Sequence, residues 1–99
     1  MEFRLLRSFL TVAREQSISG AARVLHITQP SLSRQIMELE EELGVRLFER
    51  GNRRIFLTEQ GELLYRRAGE IMALVEKTRE EMTVDDNDIS GTIYLGAGE

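Results

Sequence analysis

The spacing of apolar residues predicts two amphipathic helices at the start of the chain. Within residues 3–14, the apolar side chains share one broad stripe and polar side chains fill the other side, as on a helix that packs against a core. Residues 19–25 predict a short second helix, which Ser17 or Ser19 can cap. The pair Ala21–Ala22 carries little side-chain bulk, so another helix can approach this one closely.

A third helix is predicted over about 29–43. Thr28 can act as its N-cap, and Pro30 lies in the first turn, where a missing N–H costs nothing. Gly44 is a suitable residue to end it. Four aliphatic residues at steps of 4, 3 and 4 form a stripe that we expect to be buried. They are Leu32, Ile36, Leu39 and Leu43. The order helix, short helix, three-residue turn and longer helix is typical of a helix-turn-helix.

A small β-hairpin, or wing, is predicted after the third helix. Two short apolar runs, Val45–Phe48 and Ile55–Leu57, flank the segment "ERGNRR", whose Gly-Asn pair favours a turn. Because neither run is long enough to be stable alone, the wing must pack against the helices.

A long helix follows, capped by Thr58, with an apolar seam at alternating steps of 4 and 3. Over residues 58 to about 86 it would extend roughly 43 Å, too far to bury its seam on a small domain. A second copy of the chain is the simplest partner, although a larger domain could also bury the seam. The predicted dimer contacts are Leu64, Ala68, Ile71, Val75, Thr78 and Met82.

These elements divide the chain into three parts: a winged helix-turn-helix over 1–58, a dimerisation helix over 59–88, and residues 89–99. The segment "DDNDISG" is expected to break the long helix, and "TIYLGAGE" is expected to form one strand. A lone strand has no sheet to join, so we expect the chain to stop at the start of a second domain. The predicted fold class is mainly α.

Composition narrows the chemistry. The 99 residues include no cysteine, which excludes disulfides and thiolate metal sites. Neither a signal peptide nor an apolar run of about 20 residues is visible, so we expect a cytoplasmic protein without a membrane partner.

The net charge of −4 hides a polarised distribution. Residues 1–37 carry five arginines against two glutamates, and residues 46–67 carry six arginines against three. Residues 70–88 hold seven acids against two basic residues. Arginine suits bidentate contacts to phosphates or base edges, so the basic segments favour a nucleic-acid partner.

The front of the third helix carries residues that suit a DNA major groove. If the aliphatic stripe is buried, Gln29 or Pro30, Ser33, Arg34 and Met37 lie on the opposite face. Gln can bond adenine, Arg can bond guanine, and the free N–H groups of a helix start attract phosphate. The alternative is an ordinary solvated face with an N-cap.

The segment "AARVLHITQPSLSRQIMELEEELGVRLFERGNRRIFLTEQGE" resembles the DNA-binding domain of LysR-type transcriptional regulators, and the match runs from Phe3 to about Leu64. The resemblance implies a bacterial homodimer whose winged helix-turn-helix domains enter successive major grooves of double-stranded DNA. It also implies that the long helix dimerises. The residues 89–99 would then begin an α/β domain that binds a small-molecule effector, while tetramer formation is left open.

The resemblance also implies the contact residues. Family contacts at the helix tip map onto Thr28, Gln29, Pro30, Ser31, Ser33 and Arg34. Those of the wing map onto Arg50, Arg53 and Arg54, along the backbone or minor groove. The sequence departs from the family at Met37, where a polar residue is common, and in its short wing with Asn52.

Other candidate sites are weak. His26 has no companions at metal-ligand spacing, and the acids of residues 38–42 have no nucleophile beside them. The "GAG" of residues 96–98 lacks the third glycine and the helix of a dinucleotide loop. We therefore expect no cofactor, no metal and no enzyme. The leading functional hypothesis is a sequence-specific transcription regulator, which the polar helix tip and the arginine-rich wing favour. The alternatives are a coiled-coil adaptor and an enzyme whose catalytic domain lies beyond residue 99.

Overall fold

The computed structural model describes residues 1–51 and 54–88, with side chains up to residue 83. This part of the chain is mainly helical, with a two-stranded antiparallel hairpin, as predicted. The elements are α1 (Phe3–Glu15), α2 (Ile18–Leu25), α3 (Gln29–Leu43), β1 (Phe48–Arg50), β2 (Ile55–Leu57) and α4 (Glu59–Asp88). The strand predicted within residues 92–99 lies outside the described residues.

Three of the four helices begin at the hydroxyl caps that the sequence predicts. The side chain of Ser17 accepts a hydrogen bond from the Gly20 N–H at 2.9 Å, and Thr28 accepts one from Ser31 at 3.2 Å. Thr58 accepts the Gly61 N–H at 2.9 Å. Each bond satisfies an N–H that the first turn leaves without an intrahelical partner, so local sequence sets where these helices start.

The core forms around α1. Its apolar face contacts α2, α3, α4 and β2, and the Phe9 ring lies 5.3 Å from the Phe48 ring, centroid to centroid. Ser8 donates a hydrogen bond to the side-chain oxygen of Gln35, which links α1 to α3 inside this packing. The largest fully buried side chains are Phe9, Leu5, Leu6, Leu32, Leu39, Leu47 and Val12.

The stripe on α3 is shorter than predicted. Leu32, Ile36 and Leu39 are buried, whereas Leu43 is 38% exposed. The chain reverses at Gly44, which has the left-handed conformation (φ 72°), and Leu47 from the following segment lies in the core instead. The prediction for Leu43 was wrong because helical spacing does not reveal where the neighbouring layer ends.

The first strand also begins later than its apolar run. The Leu47 N–H donates to a carboxylate oxygen of Glu40 at 2.8 Å, and the Leu47 carbonyl accepts from the Thr58 N–H at 3.0 Å. These bonds hold residue 47 between α3 and the start of α4. Strand β1 therefore starts at Phe48, which pairs with Leu57, rather than at Val45.

The long helix α4 is partly a member of the domain. Gly61 and Ala68 are buried, and Leu64, Ile71 and Met72 pack against the core. The helix spans Glu59–Asp88, the bounds predicted for the dimerisation helix, and the acidic run up to Asp88 is helical. Asp and Asn are only moderately unfavourable inside a helix, unlike Gly or Pro. No helix in the described ranges is long and apolar enough to cross a membrane.

Two glycines of α4 provide a matched test of this packing. A Cβ on Gly61 would overlap the Leu47 carbonyl oxygen, whereas one on Gly69 would meet nothing within 4 Å. We expect Gly61→Ala to destabilise the fold by about 2–3 kcal/mol, because backbone must move. Gly69→Ala should stabilise it by about 1 kcal/mol through helix propensity. Urea denaturation at equal protein concentration measures both, and equal stability of the two variants would contradict the packing described.

Candidate nucleic-acid interface

The first turns of α3 form an exposed polar tip. Gln29, Pro30 and Arg34 are exposed, and Ser31 and Ser33 are half-buried. The opposite side of the same helix is buried in the core, so the packing of α3 against α1 sets this orientation. The structure therefore brings the tip residues together on one solvent-facing surface.

Some side chains of the tip are hydrogen-bonded within the first turn, and others have no hydrogen-bond partner among the described residues. The Thr28 hydroxyl donates to the Ser31 hydroxyl at 2.9 Å while it caps the helix, so these two side chains organise the first turn. Gln29 and Arg34 make no side-chain hydrogen bond or ion pair with any described residue. Their amide and guanidinium groups are available to a partner.

The wing carries exposed arginines next to this tip. Arg50 and Arg54 are exposed, and the Gly51 N–H donates to the Arg54 carbonyl at 2.7 Å across the turn. Arg53 lies outside the described residues, so its predicted role remains a prediction. Two cations are thus placed on the hairpin at the side where it approaches α3.

Gln16 holds the wing against the helices, a role that the sequence does not reveal. This residue ends α1 in the left-handed conformation (φ 55°). Its side-chain oxygen accepts a hydrogen bond from an Arg54 guanidinium nitrogen at 3.3 Å, and its carbonyl accepts the Ile55 N–H at 3.4 Å. Because its partners lie 38 and 39 positions away, no local pattern predicts them.

Two shallow depressions join the tip to the wing. One, of about 250 Å³, is lined by Gln29 together with Arg50 and Arg54. The other, of about 280 Å³, is lined by Ser33 and Met37 together with Arg46 and Arg50. Arg50 lines both, so the predicted tip and wing residues belong to one continuous surface. Arg46 joins this surface although it was not among the predicted contacts.

The last acidic residue of α3 is far from the tip, although Glu40 lines the second depression. Glu42 lies about 20 Å along the helix from Gln29, at 1.5 Å per residue. Its carboxylate accepts a hydrogen bond from the Met1 amino group at 2.6 Å, which raises the pKa of that amine. At the same end, a hydrogen bond from Arg4 lowers the pKa of Glu2. A chain of net charge −4 can therefore present a basic surface.

The seam residues of α4 fall into two groups. Ala68 is fully buried within its own chain, so the structure removes it from the predicted dimer surface. Leu64 and Ile71 are half-buried against the core, and Val75 is half-buried. Thr78 is exposed and Met82 is 71% exposed. Leu74, outside the predicted seam, is 63% exposed.

Three helices, a paired wing and an exposed polar helix tip define a winged helix-turn-helix DNA-binding domain. The family model described as "Bacterial regulatory helix-turn-helix protein, lysR family" matches residues 3–62. The chain therefore belongs to the LysR family, as its sequence predicted. The family description names a regulatory protein, and the matched relatives are transcriptional regulators.

Individual relatives agree with this assignment. The chain is 42% identical over 98 residues to the HTH-type transcriptional regulator BsdA of Bacillus subtilis. The matched region covers 98% of this chain and 34% of BsdA. The chain thus spans about a third of that relative. No cluster of three or more potential metal ligands occurs in the described ranges.

Solved structures share the fold closely. A crystal structure of the BenM DNA-binding domain with catB site 1 DNA matches with a TM-score of 0.85 and 42% identity, over 94% of this chain and 100% of that one. A complex of the CbnR DNA-binding domain with DNA matches with a TM-score of 0.81 and 37% identity, over 87% and 99%.

Neighbouring glutamates on α3 test how the wing is supported. Glu40 holds the Leu47 N–H, whereas Glu41 is exposed and makes no such bond. We expect Glu40→Ala to destabilise the domain by about 1–2 kcal/mol, since a backbone N–H loses a charged acceptor. Glu41→Ala removes the same charge and should change stability by less than about 0.5 kcal/mol. Thermal unfolding measures both, and an equal loss would show that charge alone is responsible.

Proposed function

We propose that this chain binds double-stranded DNA in a sequence-specific manner, with the first half of α3 in the major groove. The observation that carries the proposal is the exposed tip, whose Gln29 and Arg34 side chains have no described partner. A recognition helix reads bases with its N-terminal residues, and its rotation must be set by packing on the opposite side. The DNA complexes of the related BenM and CbnR domains support this proposal.

The side chains of the tip suit different parts of the duplex. The Gln29 amide can bond N6 and N7 of adenine, and the Arg34 guanidinium can bond O6 and N7 of guanine. Ser33 suits a base edge or a phosphate. The hydroxyls of Thr28 and Ser31, together with the free N–H groups of the helix start, suit a phosphate. Pro30 would shape this turn without adding a donor.

The wing would contact the backbone or the minor groove. Arg50 and Arg54 extend the tip surface, and Arg53 belongs to the same turn by sequence. Contacts of this kind supply affinity and register but little sequence information. Arg46, which lines the neighbouring depression, adds a fourth cation to this group.

The chain would act as a dimer through the exposed part of α4. Val75, Thr78 and Met82 continue the seam beyond the domain core, and Leu74 adds apolar surface beside it. Leu64 and Ile71 would contribute only the parts that α1 leaves uncovered. Two tips held by paired helices would face half-sites on the same side of the duplex.

Control of the whole protein would come from outside the described residues. The chain spans 34% of BsdA, so most of a protein of that length would lie outside this chain. We propose that a following domain binds a small-molecule effector and changes the relative placement of the DNA-binding domains. The proposal for a cytoplasmic regulator rests on the same family membership.

Removal of the Arg34 guanidinium tests base recognition. An operator is first obtained by selecting bound sequences from random DNA. Arg34→Ala should reduce the discrimination between this operator and random duplex by about 1–3 kcal/mol, because a bidentate base contact is lost. The control is Arg79→Ala, since Arg79 lies about 30 Å along α4 from its start and pairs with Glu76. Mobility-shift titrations at fixed salt measure both variants, and unchanged discrimination by Arg34→Ala would contradict the proposed contact.

Two substitutions on opposite faces of α4 test dimerisation. Val75→Asp places a charge in the seam, where it would be desolvated without a partner, so the dimer should dissociate. Ala73→Asp introduces the same charge on the exposed opposite face and should leave the dimer intact. Analytical ultracentrifugation distinguishes the two outcomes. A dimeric Val75→Asp variant would refute the assignment of the seam.

A further inference from the structure

Met37 is an apolar side chain on the polar face of α3. It follows Ser33 by four positions and Arg34 by three, so the three residues lie on one side of the helix. Met37 is 58% exposed, whereas Ile36 and Leu39 beside it are buried. Its methionine side chain is therefore not a member of the core that orients the helix.

Met37 lines two neighbouring surface depressions. On one side it lines the depression with Ser33, Arg46 and Arg50, and on the other it lines one of about 330 Å³ with Glu41 and Val45. More than half of its surface is exposed. The exposed thioether thus continues the tip surface by one further helical turn.

The charges around Met37 do not form a phosphate site. Glu40 and Arg46 both line the two depressions, so opposite charges stand next to the methionine. The Glu40 carboxylate is held in place by the Leu47 N–H and would repel a phosphate. An apolar group between these charges is better suited to a base edge than to the DNA backbone.

The major groove offers one apolar feature, the 5-methyl group of thymine. Methionine is unbranched and polarisable, and it adapts to irregular apolar contacts without a strong hydrogen-bonding group. We propose that Met37 is a specificity-determining residue that contacts a thymine methyl in each half-site. The inference rests on the proposed function, since it assumes that α3 lies in the major groove.

The position of this thymine relative to the other contacts follows from helix geometry. Met37 lies about 4.5 Å along α3 from Arg34, at 1.5 Å per residue. Successive bases on a strand rise by about 3.4 Å, so the thymine should lie within roughly one or two base steps of the base that Arg34 contacts. Selection would therefore favour thymine at a fixed offset from an Arg34-dependent position.

The experiment removes single methyl groups from the DNA. The full chain is used to select bound sequences from random duplex, and each thymine of a selected half-site is then replaced by uracil. We expect one such replacement to weaken wild-type binding about fourfold, the effect of one buried methyl-sized group. The Met37→Gln variant should bind the thymine and uracil duplexes equally at that position.

Two further variants keep the result interpretable. Met37→Leu retains an apolar contact and should retain a preference for thymine over uracil, whereas Leu43→Ala changes the far end of α3 and should behave as wild type. Circular dichroism confirms that the exposed substitutions at residue 37 leave the fold intact.

The inference is overturned if no thymine replacement affects the wild type, or if Met37→Gln keeps the full thymine preference. A selected half-site without thymine also overturns it. Failure of the proposed function gives a different result, because selection would then yield no preferred sequence. If the wild type prefers an operator but its affinity is insensitive to thymine methyls, DNA reading stands and Met37 faces something else, such as a protein surface.

Discussion

The rotation of α3 about its own axis decides which of its side chains face solvent. Leu32, Ile36 and Leu39 pack into a core built around α1, and this contact alone decides which side of the helix meets solvent. Once the aliphatic stripe is buried, Gln29 and Arg34 have no position except outside. The Ser8–Gln35 hydrogen bond adds a polar link at the same contact. The base recognition that we propose would thus be a consequence of apolar packing on the opposite face of one helix.

The features that could be predicted from sequence are those that local chemistry decides. Helix starts follow from hydroxyl caps such as Thr28 and Thr58, and the αL glycine at Gly44 ends α3. Features that depend on distant partners could not be predicted. The exposure of Leu43, the wing support by Gln16 and the bond from Leu47 to Glu40 depend on what the fold brings nearby. The candidate contacts at the tip follow partly from the family resemblance. Arg46 could not be predicted, because its place on this surface depends on how the segment before β1 packs against α3.

The long helix α4 shows why a heptad pattern is an ambiguous predictor. The same spacing that predicts a paired coiled coil also suits a helix that lies on a globular core. The first turns of α4 lie on the globular core, with Gly61 beneath the Leu47 carbonyl and Ala68 fully buried. Farther along, Met82 is largely exposed. One continuous helix therefore joins the domain to the exposed segment that we propose pairs with a second copy. Such pairing would set the distance between the two tips.

Site-specific crosslinking can show which end of α3 faces the DNA, and the absence of cysteine from the sequence allows a single attachment site. A single cysteine introduced at Gln29 or at Glu41 can carry a photoactivated group, and irradiation with a bound operator duplex reports which end of α3 faces the DNA. We expect crosslinks to major-groove base positions from residue 29 and far fewer from residue 41. Crosslinks from residue 41 with none from residue 29 would mean that the opposite end of α3 faces the duplex, and the account would be wrong.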